Sequence, residues 1–230
     1  MTRRIYISVA GVAALIAAGL IGASLVGANA EETVAPVQRT SVEDELFRGI
    51  PQSGTALGRP DAPVTLVEFA DVQCPYCATW ANTSLPVIVR DYVRPGKVRI
   101  VFGGMAFVGP DSDRGLRFAL AAGRQDKLWD VLHLLYASQG AENSGWVSES
   151  LLREVGTAIP GLDTERALRE AQSSAVDRQL ARSQQVATRL GIRGTPSFAA
   201  GRTGSAVSPV PITSLDPNAL RPTLDSLLAK

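Results

Sequence analysis

The chain has 230 residues, with 23 lysines and arginines against 22 aspartates and glutamates, so its formal charge is +1. Because the charge is balanced and the basic residues form no stripe, the composition argues against a nucleic-acid-binding protein. Two cysteines and one histidine are too few to supply the about four ligands of a structural zinc site.

Residues 1–30 combine a short basic segment with a long apolar one. Arg3 and Arg4 precede an uncharged stretch from Ile5 to Ala30, which is typical of a signal peptide or an N-terminal membrane anchor. The segment Ala28-Asn29-Ala30 resembles a signal-peptidase site, whereas the length of the apolar stretch favours retention as an anchor. Both alternatives place the rest of the chain outside the cytoplasm, since the arginines hold the N-terminus inside.

We therefore predict three segments along the chain. Residues 1–30 form the signal peptide or membrane anchor, residues 31–54 form a linker, and residues 55–230 form one folded domain. The linker is polar, lacks a sustained hydrophobic period and ends in turn-forming residues. The remaining length suits a single domain around one hydrophobic core.

The folded segment is organised around Val64–Ala70 and the motif Cys74-Pro75-Tyr76-Cys77 that follows it. The apolar, β-branched run predicts a strand buried on both faces of a sheet. Pro75 suits the first turn of a helix, where its missing N–H would have no intrahelical partner. Cys74 then lies at a helix N-terminus, where the helix dipole and unpaired N–H groups stabilise a thiolate.

A Cys-x-x-Cys pair in this position is able to cycle between a dithiol and a disulfide. The alternative is a purely structural disulfide, which is compatible with an oxidising compartment. Such a bridge closes so short a loop that it constrains the unfolded chain little. Since the strand-to-helix context also matches a redox motif, we favour redox chemistry.

Glu68 interrupts the apolar strand shortly before Cys74. A buried carboxylate must be hydrogen-bonded or neutralised, and burial would raise its pKa toward neutrality. With such a pKa, Glu68 could accept or donate a proton as the thiols react. The alternative is a position near the end of the sheet, where the carboxylate reaches water. We favour the proton-transfer role.

The elements after the cysteines continue an α/β pattern. Pro86 is expected to kink or interrupt the helix that carries Cys77. Polar and apolar residues alternate over Lys97–Gly103, which predicts a second strand. A long helical region follows over residues 111–191, and His133 within it is expected to be a surface or half-buried residue rather than a catalyst. The first residues of its helices are predicted from capping signals at Asp111 or Ser112, Ser148, Asp163 and Ser174.

The last part of the chain returns to the sheet. Ser197–Ala200 predicts a strand, Ser205–Pro209 its hairpin partner, and Asp216 the start of a final helix. The element order is strand, helix, strand, several helices, strand, strand, helix.

Two motifs together resemble the DsbA-like disulfide oxidoreductases of the thioredoxin superfamily. Residues 67–77, Val-Glu-Phe-Ala-Asp-Val-Gln-Cys-Pro-Tyr-Cys, are similar to the active-site segment of that family, and Gly194–Phe198 matches its cis-proline loop. The resemblance covers roughly residues 55–230. It implies a thioredoxin-like α/β fold with a helical insertion at about residues 111–175, preceded by the N-terminal helix.

The resemblance also implies roles for individual residues. Cys74 would be the exposed nucleophile, Cys77 the buried resolving thiol and Glu68 the buried proton carrier. Thr195 and the cis-proline Pro196 would offer a backbone edge to which an extended substrate adds as a β-strand.

Pro75 and Tyr76, between the cysteines, would tune the active site. The best-known DsbA-like protein has histidine where this chain has Tyr76, and that histidine gives the thiolate a positive partner. Without it we expect a less depressed pKa for Cys74 and a milder oxidant.

Together these features predict an extracytoplasmic enzyme that forms disulfides in exported proteins through Cys74 and Cys77. Its partners would be substrate thiols, a membrane redox protein that reoxidises it, and the membrane itself through the N-terminal segment; no cofactor, metal or nucleic acid is expected. Two alternatives stay open at this point. One is a reductase or isomerase that uses the same cysteines, and the other is a tethered, non-catalytic binding module with a structural disulfide.

Overall fold

The computed structural model describes residues 46–229. Its centre is a six-stranded sheet in the order β1-β2-β4-β3-β5-β6. The strands are β1 (Gln52–Ser53), β2 (Ala56–Leu57), β3 (Val64–Ala70), β4 (Val98–Gly104), β5 (Ser197–Arg202) and β6 (Ser208–Val210). β3 pairs parallel with β4 and antiparallel with β5, so the strand that leads to the cysteines is central.

Helices cover both faces of this sheet. They are α1 (Pro75–Thr79), α2 (Leu85–Ile88), α3 (Pro110–Gly123), α4 (Leu128–Ala137), α5 (Glu149–Ala158), α6 (Thr164–Glu170), α7 (Ser174–Arg189) and α8 (Arg221–Leu228). A π-helical segment follows α1 and another follows α2, and a short 3₁₀ turn precedes α8. Since α3 to α7 lie between β4 and β5 in the chain, the predicted block of helices is present and the mixed α/β prediction is confirmed.

β3 is buried on both faces, as its continuous apolar character predicted. Leu66 lies in the main core, whereas Phe69 belongs to a second, smaller cluster with Met105 and Ala187. Ala187 comes from α7, so this helix covers the face of the sheet that the main core leaves open. A strand covered on both faces favours apolar side chains at every position.

The helix after Cys74 is interrupted, as expected from Pro86. α1 passes into the π-helical segment Trp80–Ser84, and α2 begins at Leu85 with Pro86 in its first turn. Because Pro86 has no N–H, the regular hydrogen-bond ladder cannot continue through it, and the chain changes its helical register on either side.

Two of the predicted caps are confirmed and two are wrong. Ser148 and Asp163 accept hydrogen bonds from the backbone N–H groups of Leu151 and Arg166 at the starts of α5 and α6. α3, in contrast, begins at Pro110 after Gly109, and neither Asp111 nor Ser112 caps it. Those two side chains bond to other segments of the chain instead.

α7 begins at the predicted residue with a different cap. Ser173, rather than Ser174, accepts the hydrogen bond from the N–H of Val176. Asp177 forms an ion pair with Arg117, 2.8 Å away, rather than closing a capping box. The competing tertiary contact therefore decides the position of that carboxylate.

Residues before 55, the predicted start of the folded domain, already pack into the core. Phe47 and Ile50 are buried in the core, and the ring of Phe47 meets the ring of Trp129 edge-on at 6.3 Å. The predicted anchor over residues 1–30 lies outside the described residues. Across residues 46–229 no helix combines the length and apolar character that a membrane crossing requires.

Candidate functional site

Cys74 lies at the N-terminus of α1, as predicted. The chain leaves β3 at Ala70, and Cys74 is the N-cap residue with an extended backbone (φ −70°, ψ 120°). The N–H groups of Cys77 and Ala78 donate to the Cys74 carbonyl oxygen at 3.0 and 3.1 Å. Pro75 occupies the first helical turn, where no N–H is needed. This geometry places Cys74 at the positive end of the first helical turn.

The two thiols differ in their access to solvent. Both cysteines are free; Cys74 is 7% exposed and Cys77 is completely buried. The resemblance implied an exposed nucleophile, whereas neighbouring segments cover most of the Cys74 side chain. Between the two cysteines, Pro75 is exposed and Tyr76 is 66% exposed. Tyr76 therefore forms the exposed surface beside Cys74, whose own sulfur is largely covered.

The proline loop lies directly against Cys74. The Thr195–Pro196 peptide bond is cis, and the Cys74 thiol donates a hydrogen bond to the Thr195 carbonyl oxygen at 3.3 Å. Antiparallel pairing of Phe69 with Ser197 brings the start of β5 beside the end of β3. The sheet register therefore unites two motifs that are distant in sequence.

The surroundings of the two sulfurs separate their pKa values. Hydrogen bonding from the Cys77 thiol, supported by Thr195 and by the N–H groups of Tyr76 and Cys77, lowers the pKa of Cys74 to about 6. Burial, followed by the proximity of Cys74, raises the pKa of Cys77 far above its usual value. At neutral pH Cys74 is thus the thiolate and Cys77 the thiol, which is the division that thiol–disulfide exchange requires.

Glu68 is buried beneath the cysteines. The residue is 2% exposed, and burial raises the pKa of its carboxyl group to about 7, against a smaller opposing effect of Trp80. Its Oε2 atom has no hydrogen-bond partner among the described residues. The alternative that Glu68 reaches water at the end of the sheet is wrong. Its charge also contributes to the raised pKa of Cys77, so the two groups interact.

Asp71 holds the loop before Cys74 and was not identified from the sequence. It is completely buried, and its carboxylate accepts hydrogen bonds from four groups. These donors are the N–H groups of Gln73 (2.9 Å), Phe107 (2.7 Å) and Val108 (3.0 Å) and the hydroxyl of Ser112 (2.6 Å). The only available signal was an acidic residue directly after a buried strand.

Two glutamines extend this network to the helical insertion. Gln139, just after α4, donates to the carbonyl oxygens of Val72 at 2.8 Å and Cys74 at 3.2 Å. Gln73 accepts from the N–H of Asn143 at 2.7 Å. The helical insertion therefore fixes the backbone on which the reactive cysteine stands. Polar residues in a loop of this kind carry no sequence signature, so their role follows only from the fold.

Within the described residues, no group of three or more histidine, cysteine or acidic side chains is arranged to hold a metal ion. Two grooves on the described surface lie away from the cysteines. One of about 570 Å³ runs between the sheet and α7, and another of about 640 Å³ lies beside β5, β6 and α8. The chemistry of the site rests on the two thiols and their neighbours.

Comparisons with known proteins agree with this geometry. A family model described as Thioredoxin matches residues 52–210. A Bacillus cereus protein named "Probable disulfide bond formation protein D" is 34% identical over 145 residues, which cover 62% of this chain and 67% of that protein.

Solved structures share the fold. The crystal structure of oxidised BdbD from Bacillus subtilis superposes with a TM-score of 0.67 at 23% identity, covering 78% of this chain and 97% of that one. Wolbachia pipientis alpha-DsbA1 gives a TM-score of 0.65 at 17% identity, covering 83% and 96%. The thioredoxin-like fold and the DsbA-like resemblance are therefore confirmed. The chain belongs to the thioredoxin family and is a DsbA-like protein disulfide oxidoreductase.

Proposed function

We propose that this oxidoreductase works as an oxidant, forming disulfides in exported proteins on the outer side of the membrane. The observation that carries the proposal is the opposed shift of the two thiol pKa values, with Cys74 at about 6 and Cys77 far above its usual value. A stabilised Cys74 thiolate favours the reduced protein, and a favoured reduced form makes the disulfide form a stronger oxidant.

The proposed reaction proceeds by two exchanges at sulfur. A substrate thiolate attacks Cys74 Sγ of the oxidised protein, forming a mixed disulfide as the bond between the cysteines breaks and Cys77 leaves. A second substrate thiolate then attacks the substrate sulfur of this mixed disulfide, and Cys74 leaves as a thiolate. Two electrons pass from the substrate to the cysteine pair, and the substrate gains one disulfide.

Cys77 needs a proton when it leaves, because a buried thiolate is unstable. We assign this proton to Glu68, whose burial and pKa of about 7 leave it partly protonated near neutrality. When a redox partner reoxidises the pair, the Glu68 carboxylate takes the proton back from the Cys77 thiol. Glu68 therefore allows proton transfer in both directions of the cycle.

The backbone at Thr195 and Pro196 is the proposed substrate-binding edge. It lies against Cys74, so an extended peptide that adds to it brings its own sulfur toward the reactive one. Tyr76, between the two cysteines, and Phe107 are the exposed large hydrophobic side chains of the described surface. The backbone of Phe107 is tied to the loop before Cys74 by the hydrogen bond from its N–H to Asp71. Apolar segments of unfolded substrates fit such a surface.

The location outside the cytoplasm and the membrane-bound redox partner rest on the N-terminal segment. Arg3 and Arg4 followed by the apolar stretch from Ile5 to Ala30 support export, with the chain retained as a tethered enzyme. The name of the Bacillus cereus relative, a disulfide bond formation protein, supports the oxidising direction.

The decisive experiment adds the oxidised protein to reduced, unfolded ribonuclease. We expect ribonuclease activity to return while the protein becomes reduced, and Cys74→Ser to abolish the effect. Cys77→Ala should accumulate a mixed disulfide whose partner identifies the substrate. A reductase or isomerase would instead be found reduced in cells, so a largely reduced Cys74/Cys77 pool at steady state contradicts the oxidising role.

A further inference from the structure

Trp80 lies between the helix that carries the cysteines and the strand that carries Glu68. It follows Cys77 by three residues, so the two side chains share one face of the helix, and both are buried. Glu68 is directly opposite Phe198 in the sheet, and paired residues project from the same face. The rings of Trp80 and Phe198 lie 4.6 Å apart. The strand register and the ring contact therefore bring the indole of Trp80 beside the carboxyl group of Glu68.

Each of these two neighbours has a buried polar atom without a hydrogen-bond partner among the described residues. The atoms are Nε1 of Trp80 and Oε2 of Glu68. The two residues are 1% and 2% exposed, and leaving buried polar atoms unbonded costs free energy. An indole N–H can only donate a hydrogen bond and an ionised carboxylate can only accept one, so the two atoms are complementary.

The other polar side chains in this part of the core already have partners. The titratable ones come from the reactive loop, from α1 and from α4, and they are Asp71, Cys74, Cys77, His133 and Tyr136. The Tyr136 hydroxyl donates to the Asp71 carbonyl oxygen at 3.4 Å, and burial raises the pKa of Tyr136 well above its usual value. The Asp71 carboxylate is occupied by its four donors. The Cys77 thiol is bonded to Cys74, and His133 shares a small cavity with Glu68.

A hydrogen bond from Trp80 acts more strongly on the charged form of Glu68 than on the neutral form. Hydrogen bonds to an ionised group are about twice as strong as those between neutral groups. Burial raises the pKa of Glu68 to about 7, and Trp80 opposes part of this rise. The indole N–H therefore favours the loss of a proton that burial alone would hold on the carboxyl group.

We propose that Trp80 is a positioning residue for proton transfer at the cysteine pair: its indole N–H binds the carboxylate that forms when Glu68 protonates the leaving Cys77. This inference rests on the proposed proton-transfer role of Glu68. Trp80 acts through Glu68 and does not itself react with a thiol. Its function is to keep a deeply buried acid able to release its proton.

The protons balance in both directions of the cycle. As the disulfide accepts two electrons from the substrate thiols, the Cys77 sulfur takes the proton of Glu68. The carboxylate that remains is then stabilised by the hydrogen bond from Trp80. On reoxidation the Cys77 proton returns to Glu68, and the bond from Trp80 weakens because the carboxyl group is neutral again. The indole keeps its own proton throughout.

The test uses the full chain in detergent micelles. Trp80→Phe removes the N–H and keeps an aromatic ring against Phe198. Trp146→Phe is the matched control, because Nε1 of Trp146 is also buried without a partner among the described residues, in the loop between α4 and α5. Glu68→Gln removes the titrating group. Circular dichroism confirms that each variant is folded.

The first readout follows the indole N–H signals of the oxidised protein by nitrogen-15 NMR between pH 5 and 9. The chain has three tryptophans, so replacing Trp129 or Trp146 with phenylalanine assigns all three signals while Trp80 stays in place. The disulfide form is used because its cysteines do not titrate. We expect the Trp80 signal to move with a midpoint near pH 7, where Glu68 titrates, and to stay constant in Glu68→Gln. A Trp80 signal that does not titrate, or that titrates equally in Glu68→Gln, overturns the proposal.

The second readout is the rate at which dithiothreitol reduces the Cys74–Cys77 disulfide, corrected for the thiolate fraction of dithiothreitol at each pH. We expect the wild-type profile to change slope near pH 7, the pKa of Glu68. In Trp80→Phe this midpoint should move up by about one pH unit, since the carboxylate has lost its donor, and Trp146→Phe should leave it in place.

The outcomes separate this proposal from the oxidising function. A folded Trp80→Phe variant with an unmoved midpoint overturns the proposal. An identical profile for Glu68→Gln and the wild type overturns the proton-transfer role of Glu68 and the proposal with it. Because neither readout uses a protein substrate, failure to oxidise ribonuclease contradicts only the oxidising function.

Discussion

The Cys74 thiol and the Thr195 carbonyl oxygen lie 3.3 Å apart, although the two residues are 121 positions apart in the chain. Pairing of β3 with β5 produces this contact, because Phe69 is in register with Ser197. The reactive sulfur and the substrate edge are therefore one structural unit. The reactivity of Cys74 depends on residues from both segments, and this dependence can be tested.

Alkylation of the reduced protein measures the Cys74 thiolate directly. We expect the rate with iodoacetamide to rise with pH around a midpoint of about 6, because the pKa of Cys74 is lowered to about 6 and only the thiolate reacts. The largest cause is the hydrogen bond from Cys77. Cys77→Ala should move the midpoint toward 9 by more than Cys77→Ser does, since serine retains a hydroxyl donor. Equal midpoints for the two variants would contradict this assignment.

Tyr76→His should make the protein more oxidising. Tyr76 is 66% exposed, so the substitution leaves the core intact and places a partial positive charge near the Cys74 thiolate. We expect the equilibrium with glutathione to shift by about twofold to fivefold toward the reduced protein, as for an exposed charge at a helix end. Tyr76→Phe serves as the control. An unchanged or opposite shift for Tyr76→His would show that this position does not control the potential.

Glu68 should make the folded protein less stable as pH rises. Its pKa rises from a usual 4.5 to about 7 in the fold, so between these values the folded state holds a proton that the unfolded state has lost. The free energy of unfolding of the reduced protein should therefore fall by about 3 kcal/mol from pH 4.5 to pH 7 through this group. The rest of this contribution is lost as the pH rises through the folded-state pKa of about 7.

Urea unfolding at several pH values checks this prediction. Glu68→Gln should remove most of the decline and be more stable than the wild type at pH 8. Glu142→Gln, at an exposed position, should follow the wild-type curve. If the free energies of unfolding of the wild type and Glu68→Gln change with pH in parallel, the Glu68 carboxyl group has the same pKa in the folded and unfolded states, which contradicts the prediction.

Asp71→Ala should destabilise the protein and disorganise the loop before Cys74. Loss of a buried carboxylate with four donors leaves those donors unsatisfied, and we expect the free energy of unfolding to fall by about 3 kcal/mol or more. Ser112→Ala removes a single one of these donors and should cost about 1 kcal/mol. Denaturant unfolding measures both, and similar losses in the two variants would count against a central role for Asp71.

The elements that carry the reactive cysteine were predictable from local sequence. Val64–Ala70 is apolar at nearly every position and is followed by Cys74 and Pro75, so strand, loop and helix start were all predictable from neighbouring residues. The interruption at Pro86 followed in the same way, because a proline removes a helix hydrogen bond wherever it stands. Such features depend only on residues a few positions apart, so they can be predicted from the sequence.

Helix caps show where local signals stop being sufficient. Ser173 and Ser174 are equally good caps by composition, and only the fold selects Ser173. Asp111 and Ser112 are good caps too, but the Ser112 hydroxyl bonds to Asp71 and an Asp111 oxygen accepts from Gly145. A polar side chain near a helix start goes to whichever donor or acceptor the tertiary structure offers, and the gain of satisfying a buried partner exceeds that of an exposed cap.

The sequence by itself determined that this protein carries a reactive cysteine at a helix N-terminus, a carboxylate in a buried strand and a proline loop. Only the tertiary structure decided that Asp71 and Gln139 hold the reactive loop, that Cys74 is largely covered, and that His133 shares a cavity with Glu68. The physical reason is that these contacts join segments far apart in the chain. Their geometry depends on sheet register and helix packing, and no local period or spacing encodes it.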